Sequence, residues 1–140
     1  MINAVTQNTF SKALAFIKDN SLPSDDISDS TKLFAITDGD KIVGTIGVEF
    51  YEKAALLRSL AVSEERRGAG LAKQLVDFIE HFAKQNGAEE IILLTTTAQD
   101  FFNRRTYEII ERENTPEGVK KSTEFASTCP SSAVVMKKRL

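Results

Sequence analysis

The stretch that most constrains this chain is "AALLRSLAVSEERRGAGLAKQLVDFIEHFAKQNGA", residues 54–88. Its first nine residues are apolar on both alternating sets: Ala54, Leu56, Leu60 and Val62 on one, Ala55, Leu57 and Ala61 on the other. A strand of that kind is buried on both faces, so its sheet must be covered on both sides. Arg58 interrupts the run, and simple alternation places it on the face of Leu60 and Val62. A turn holding Arg66, Arg67, Gly68 and Gly70 follows. Leu71, Leu75, Phe78 and Phe82 then recur at helical spacing, widened by Ala72, Val76, Ile79 and Ala83. Asn86-Gly87 is a suitable helix stop.

The rest of the chain fits around this unit. Residues 8–19 carry a helical rhythm in Phe10, Ala13, Leu14, Phe16 and Ile17, and "SLPSDDISDS" reads as a loop. "KLFAI" and "KIVGTIGVEFY" read as strands joined at Asp38-Gly39, a hairpin signal. "EEIILLTT" predicts a buried strand, "AQDFFNRR" a short helix and "YEIIER" a strand. "TPEGVKKSTEF" opens on Thr-Pro, a helix start, and "SAVVMKKRL" predicts a last strand. The order α-β-β-β-α-β-α-β-α-β implies an α/β (α+β) fold. One mixed sheet carries helices on both faces, in a single domain over residues 1–140.

Composition removes several function classes. One cysteine, Cys129, excludes an intrachain disulfide framework, and with a single histidine, His81, a conventional zinc site is not expected. A net charge of -2 gives no support to bulk nucleic-acid binding. No apolar run reaches membrane-span length and the start lacks a signal-peptide pattern, so no membrane partner and a cytoplasmic location are expected.

A strand, a glycine turn and a helix together can hold an anion. The first amides of a helix have no intrahelical partner, and the helix dipole adds partial positive charge there. Gly68 and Gly70 lack a Cβ that would keep a pyrophosphate away. No G-K-[ST] occurs, which excludes a P-loop, and the third glycine of a dinucleotide fingerprint is missing. On the turn alone, a plain helix start with surface arginines is the alternative.

The wider stretch "LRSLAVSEERRGAGLAKQLVDFIEHFAKQNGA" resembles the signature of the GNAT N-acetyltransferases. Their motif Q/R-x-x-G-x-G/A is matched by Arg67, Gly68, Ala69, Gly70, Leu71 and Ala72. The resemblance implies acetyl-CoA as cosubstrate, with its pyrophosphate on that turn. It also implies a central strand splayed from its neighbour, with the backbone of Leu60, Ala61 and Val62 along the pantetheine. The Val62 amide would polarise the thioester carbonyl. "LLTTTAQDFF", "P-x-x-x-K-x-S-T-E-F" and "CPSSAVVM" are similar to GNAT enzymes of bacterial arsenic-resistance operons and to amino-acid (glutamate) N-acetyltransferases. The resemblance implies direct transfer to a primary amine of a small, anionic acceptor, and allows a homodimer. An acyl-CoA sensor module and a protein N-acetyltransferase are the competing readings.

The family pattern breaks in "FFNRRTY". Many GNAT enzymes have a Tyr there, four residues before a Gly-Phe pair, that protonates the leaving thiolate. Here Phe102 takes the Tyr place, Thr106 the Gly and Tyr107 the Phe, and a phenyl ring has no proton to donate. Phe102 is expected beside the thioester or simply in the core. An Asn often found earlier in that segment is replaced by Thr95. Glu49 and Glu124 are the candidate general bases, each with a surface carboxylate as the alternative. Arg58 is expected either to pair with one of them or to grip an acid group of the acceptor. Arg104 and Arg105 are weaker candidates for that grip, His81 is expected at the surface, and Cys129 is expected to be structural or a thiol lining the pocket.

Overall fold

The computed structural model describes residues 2–28, 30–122 and 133–140. They form a seven-stranded sheet in the order β1-β2-β3-β4-β5-β7-β6. The strands are β1 (Ile2–Ala4), β2 (Lys32–Asp38), β3 (Lys41–Tyr51), β4 (Ala54–Val62), β5 (Glu90–Thr95), β6 (Glu108–Ile110) and β7 (Val134–Arg139). The helices are α1 (Phe10–Asp19), α2 (Leu71–Gln85), α3 (Gln99–Arg104) and α4 (Glu117–Lys120). Neighbouring strands are antiparallel except β4 and β5, which are parallel. From α1 onward the strands and α-helices follow the expected order.

The two faces of β4 bury different cores. Ala55, Leu57 and Val62 join Leu75, Val76, Ile79 and Ala83 of α2. Phe34 of β2 completes that side, edge-on to Phe78 and Phe82 at 4.8 and 4.9 Å between ring centroids. On the opposite face, Ala54 and Leu56 pack with Val119 of α4, while Ala35 meets Ala13 of α1. Burying an aliphatic side chain is worth about 1.5–3 kcal/mol, so covering both faces is what stabilises this strand.

Two features were not anticipated. β1 is a short edge strand paired with β2, its Ile2 opposite Ile36. A strand of three residues carries too little periodicity to be seen. The second is a bulge in β4. Thr45 faces Ala61 while Gly47 faces Arg58, so Ser59 and Leu60 stand opposite Ile46 alone. Ser59 has φ +60, the left-handed region. One extra residue reverses the alternation beyond it. Val62 therefore lies on the α2 face, whereas Arg58 shares the face of Leu56 and Gly47. The expectation that Arg58 and Val62 share a face is corrected by that bulge. Gly47 makes the arrangement fit, because a Cβ there would sit 3.4 Å from Arg58 Cγ and 3.0 Å from Leu33 Cδ2.

The α3 helix ends in a Schellman turn. Tyr107 N–H donates to Phe102 O at 3.0 Å and Thr106 N–H to Asn103 O at 3.1 Å. Thr106 has φ +71 at the position that favours glycine, so the turn keeps its shape with a β-branched residue in a costly conformation. Thr106→Gly is expected to stabilise the protein by about 0.5–1 kcal/mol, the relief of strain outweighing glycine's larger unfolded-state freedom. A thermal melt that moves downward instead would show that the threonine side chain contributes more than its strain.

Candidate active site

The centre of the sheet opens where β4 and β5 part. Their pairing covers only Ala54 to Leu56 against Glu90 to Ile92. Beyond it β4 stays with β3 as far as Val62, and β5 stays with β7 as far as Thr95. The bulge at Ser59 lies just past Leu56, the last residue of β4 paired with β5. A cavity of about 640 Å³ occupies this V. Leu57–Leu60 line one side, Leu93–Ala98 and Phe102 the other, and Ser21–Asp25 close the front.

The backbone past the bulge is turned toward the gap. Ser63 N–H donates to Val43 O at 2.8 Å, so its peptide faces β3. Successive residues of a strand direct their peptide groups to opposite sides. Val62 N–H and C=O, and those of Leu60, thus face away from β3. In agreement, Val62 O accepts a hydrogen bond from Arg67 Nε at 3.3 Å instead of a strand partner.

The glycine turn lies at the open end. A single 3₁₀ turn at Glu64–Arg66 leads into it. Gly68 and Gly70 have φ +86 and +81, and Gly70 is the N-cap of α2 without a side-chain cap. The first hydrogen bond of the helix runs from Gln74 N–H to Gly70 O. The amides of Leu71, Ala72 and Lys73 are therefore available at the positive end of a fifteen-residue helix. A Cβ added at Gly68 or Gly70 would meet nothing within 4 Å, so the space before the turn is open. Arg67 also reaches Asn20 Oδ1 at 3.4 Å, and Arg66 pairs with Asp38.

Arg58 lies at the base of the cavity with its side chain 1% exposed. Nη1 and Nη2 grip Asp26 at 2.6 and 2.7 Å, and Nη1 also donates to Glu49 Oε2 at 3.0 Å. Nη2 donates to Pro23 O at 3.4 Å and Nε to Ser59 Oγ at 3.3 Å. The pairing of Arg58 with Glu49 was one of the two expected arrangements. Asp26 occupies the fork that an acceptor acid would need. Burial pushes the Asp26 carboxyl up, but the hydrogen bonds and charge of Arg58 outweigh it and hold it below its ordinary value.

Glu49 is not exposed to the cavity. It is buried, and it accepts Thr31 Oγ1 at 2.5 Å on Oε2 and Tyr51 OH at 2.7 Å on Oε1. Burial and that bond to Glu49 push the Tyr51 phenol far above its usual value, so it stays a donor. Both oxygens of Glu49 are thus occupied, and Oε2 holds Arg58. Glu124 and Cys129 lie outside the described residues.

Phe102 lines the cavity and is buried against Phe101 and Tyr107, with centroids at 5.1 and 5.2 Å. Tyr107 points away, donating to Glu80 Oε2 at 3.0 Å. Burial and the Glu80 charge push its phenol well above its usual value, and its hydroxyl is committed to Glu80 on α2, away from the residues that line the cavity. Arg105 pairs with Asp77, and Arg104 and His81 are exposed. Phe102→Tyr is expected to leave turnover unchanged or to raise it. Phe102→Leu should retain most of it, and a loss beyond about a thousandfold, roughly 4 kcal/mol of transition-state stabilisation, would assign the ring a further role.

The model of the acetyltransferase (GNAT) family matches residues 6–109. The chain belongs to the GNAT acetyltransferase family. It is 36% identical over 80 residues to an uncharacterised N-acetyltransferase of Chlorobaculum tepidum, covering 56% of this chain and 51% of that protein. It is 35% identical over 89 residues to human N-acetyltransferase 8B, covering 53% of this chain and 39% of that one. The chain thus spans about half or less of the length of these relatives. A GNAT acetyltransferase of Staphylococcus aureus superimposes with a TM-score of 0.79 at 18% identity, over 100% of this chain and 99% of that one. N-acetylglutamate synthase of Neisseria gonorrhoeae, complexed with coenzyme A and N-acetyl-glutamate, gives 0.82 at 15% identity over 100% and 35%. These GNAT structures share the fold, including the mixed sheet.

Asp26 was missed by sequence reasoning. Its segment reads as polar loop, and nothing local marks one of its aspartates as buried. The available signal was Arg58, whose charge in an apolar strand demanded an anion.

Proposed function

We propose that this GNAT protein is an N-acetyltransferase that moves the acetyl group of acetyl-CoA to a primary amine of a small acceptor. The observation that carries the reading is the parted β4–β5 pair ending at an uncapped glycine turn. It joins an anion site to a cavity through a run of strand backbone. The pyrophosphate would lie on residues 67–72 and the pantetheine along Leu60–Val62. Facing the gap, the Val62 amide is suited to stabilise the oxyanion as it develops. The amine nitrogen attacks the thioester carbon directly in a ternary complex, the C–S bond breaks, and the amine's proton leaves through an acceptor. Glu124 is our candidate for that acceptor. The leaving thiolate takes its proton from solvent, since Phe102 has none to give.

The acceptor's charge is the finer part of the proposal. An amino acid or analogue fits if its acid group exchanges with Asp26 on Arg58. A neutral amine needs no exchange and fits the hydroxyls of Ser21, Ser24 and Thr95–Thr97 around the cavity. Among the described residues no helix is long and apolar enough to cross a membrane, and the proposal includes a cytoplasmic location.

Thiol release from acetyl-CoA, followed over a panel of amino acids, neutral amines and diamines, tests the reading. Turnover with intersecting initial-rate lines is expected. The phenyl ring at the acid position favours one rival, a sensor that binds acetyl-CoA without turnover. Tight binding with no thiol released from any amine would select that rival.

A further inference from the structure

The front wall of the cavity has little structure of its own. Residues 21–28 form neither helix nor strand, and their backbone bonds hold them to α1, to one another and, at the far end, to Thr31: Ser21 N–H to Lys18 O, Leu22 N–H to Ile17 O, Ile27 N–H to Ser24 O and Thr31 N–H to Ser28 O. Pro23 and Asp26, at the heart of this wall, are tied to the sheet through Arg58. The guanidinium takes both oxygens of Asp26 and the carbonyl of Pro23, and the Asp26 side chain is only 5% exposed. Glu49 braces the same guanidinium from β3, itself held by Tyr51 and Thr31. Ser21–Asp25 stand immediately before this anchor, and they line the cavity opposite β5 and α3.

We propose that Asp26 is a positioning residue for the acceptor: its paired bonds to Arg58 fasten residues 21–25 as the acceptor-side wall of the cavity. This rests on the reading of the cavity as the acceptor site. A loop without secondary structure defines a pocket wall only if something fixes it, and a buried two-pronged ion pair fixes both distance and orientation. The glycine turn does not depend on this anchor, so the two substrates should be affected differently. Acetyl-CoA meets β4 and α2, whereas the acceptor meets the wall.

Asp26→Ala and Asp26→Asn test this, read by acceptor KM, kcat, acetyl-CoA Kd and amide hydrogen exchange over residues 21–28. Asp26→Ala should raise acceptor KM by about tenfold or more and speed exchange across the wall. Acetyl-CoA Kd should stay within about twofold. Asp26→Asn, which keeps one carbonyl oxygen for Arg58, should fall between Asp26→Ala and wild type, and it carries the test if Asp26→Ala does not fold. An unchanged acceptor KM overturns the proposal. A lower KM overturns it too, because Asp26 would then compete with the acceptor for Arg58. If the wild-type protein acetylates no amine, the acceptor reading fails separately, and exchange alone decides whether Asp26 holds the wall: faster exchange supports the anchor, unchanged exchange overturns it.

Discussion

Arg58→Met is expected to destabilise the protein by about 3–5 kcal/mol, the usual effect of removing one partner from a buried ion pair. The substitution roughly preserves side-chain volume, so the loss would come from electrostatics. It leaves Asp26 and Glu49, whose side chains are 5% and 8% exposed, without the cation that neutralises them. Against a typical total of about 5–15 kcal/mol, that is a large fraction of stability. Arg58→Lys keeps the charge without the fork and should lose less, because one ammonium cannot grip both Asp26 oxygens and reach Glu49 as well. Urea unfolding of the three proteins provides the comparison. A loss below about 1 kcal/mol for Arg58→Met, the scale of an exposed pair, would contradict a buried network.

Gly70→Val should weaken acetyl-CoA binding by about tenfold or more, equivalent to at least 1.4 kcal/mol. Two effects combine there. A β-branched residue at φ +81 is strained by about 1–2 kcal/mol. Its side chain would also project into the open space in front of the α2 amides, where the pyrophosphate is placed. Gly39→Val separates the two. Gly39 has φ +64 in the β2–β3 hairpin, with nothing within 4 Å of an added Cβ. That variant should lose similar stability and keep its acetyl-CoA affinity. Equal affinity in both variants, measured by calorimetry on folded protein, would remove the pyrophosphate from the turn.

Much of the fold was legible in the sequence because its signals are local. The apolar run of residues 54–62 and the helical stripe from Leu71 to Ala83 each reflect burial within one element, and β3, β4 and the start of α2 fall where the sequence places them. The glycine turn was legible for the same reason, since left-handed backbone leaves its mark in residue type. The wall of the cavity opposite β5 was not. A bulge at Ser59 is a property of two paired strands, and serine carries no signature of φ +60. The Asp26–Arg58 bond joins residues 32 apart in sequence, and the need for an anion could be read while its identity could not. Thr106 shows the converse: its turn keeps the left-handed shape after the glycine signal has gone.

Transfer of the acetyl group from the thioester to an amine can be followed directly. Acetyl-CoA labelled with carbon-13 in the acetyl group is incubated with the protein and the amine panel, and the products are identified by mass spectrometry. Recovery of the label as an N-acetyl amide, in one-to-one ratio with free CoA and dependent on the protein, is the predicted result. Label that remains on CoA, or that appears only as acetate with every amine tested, would contradict it.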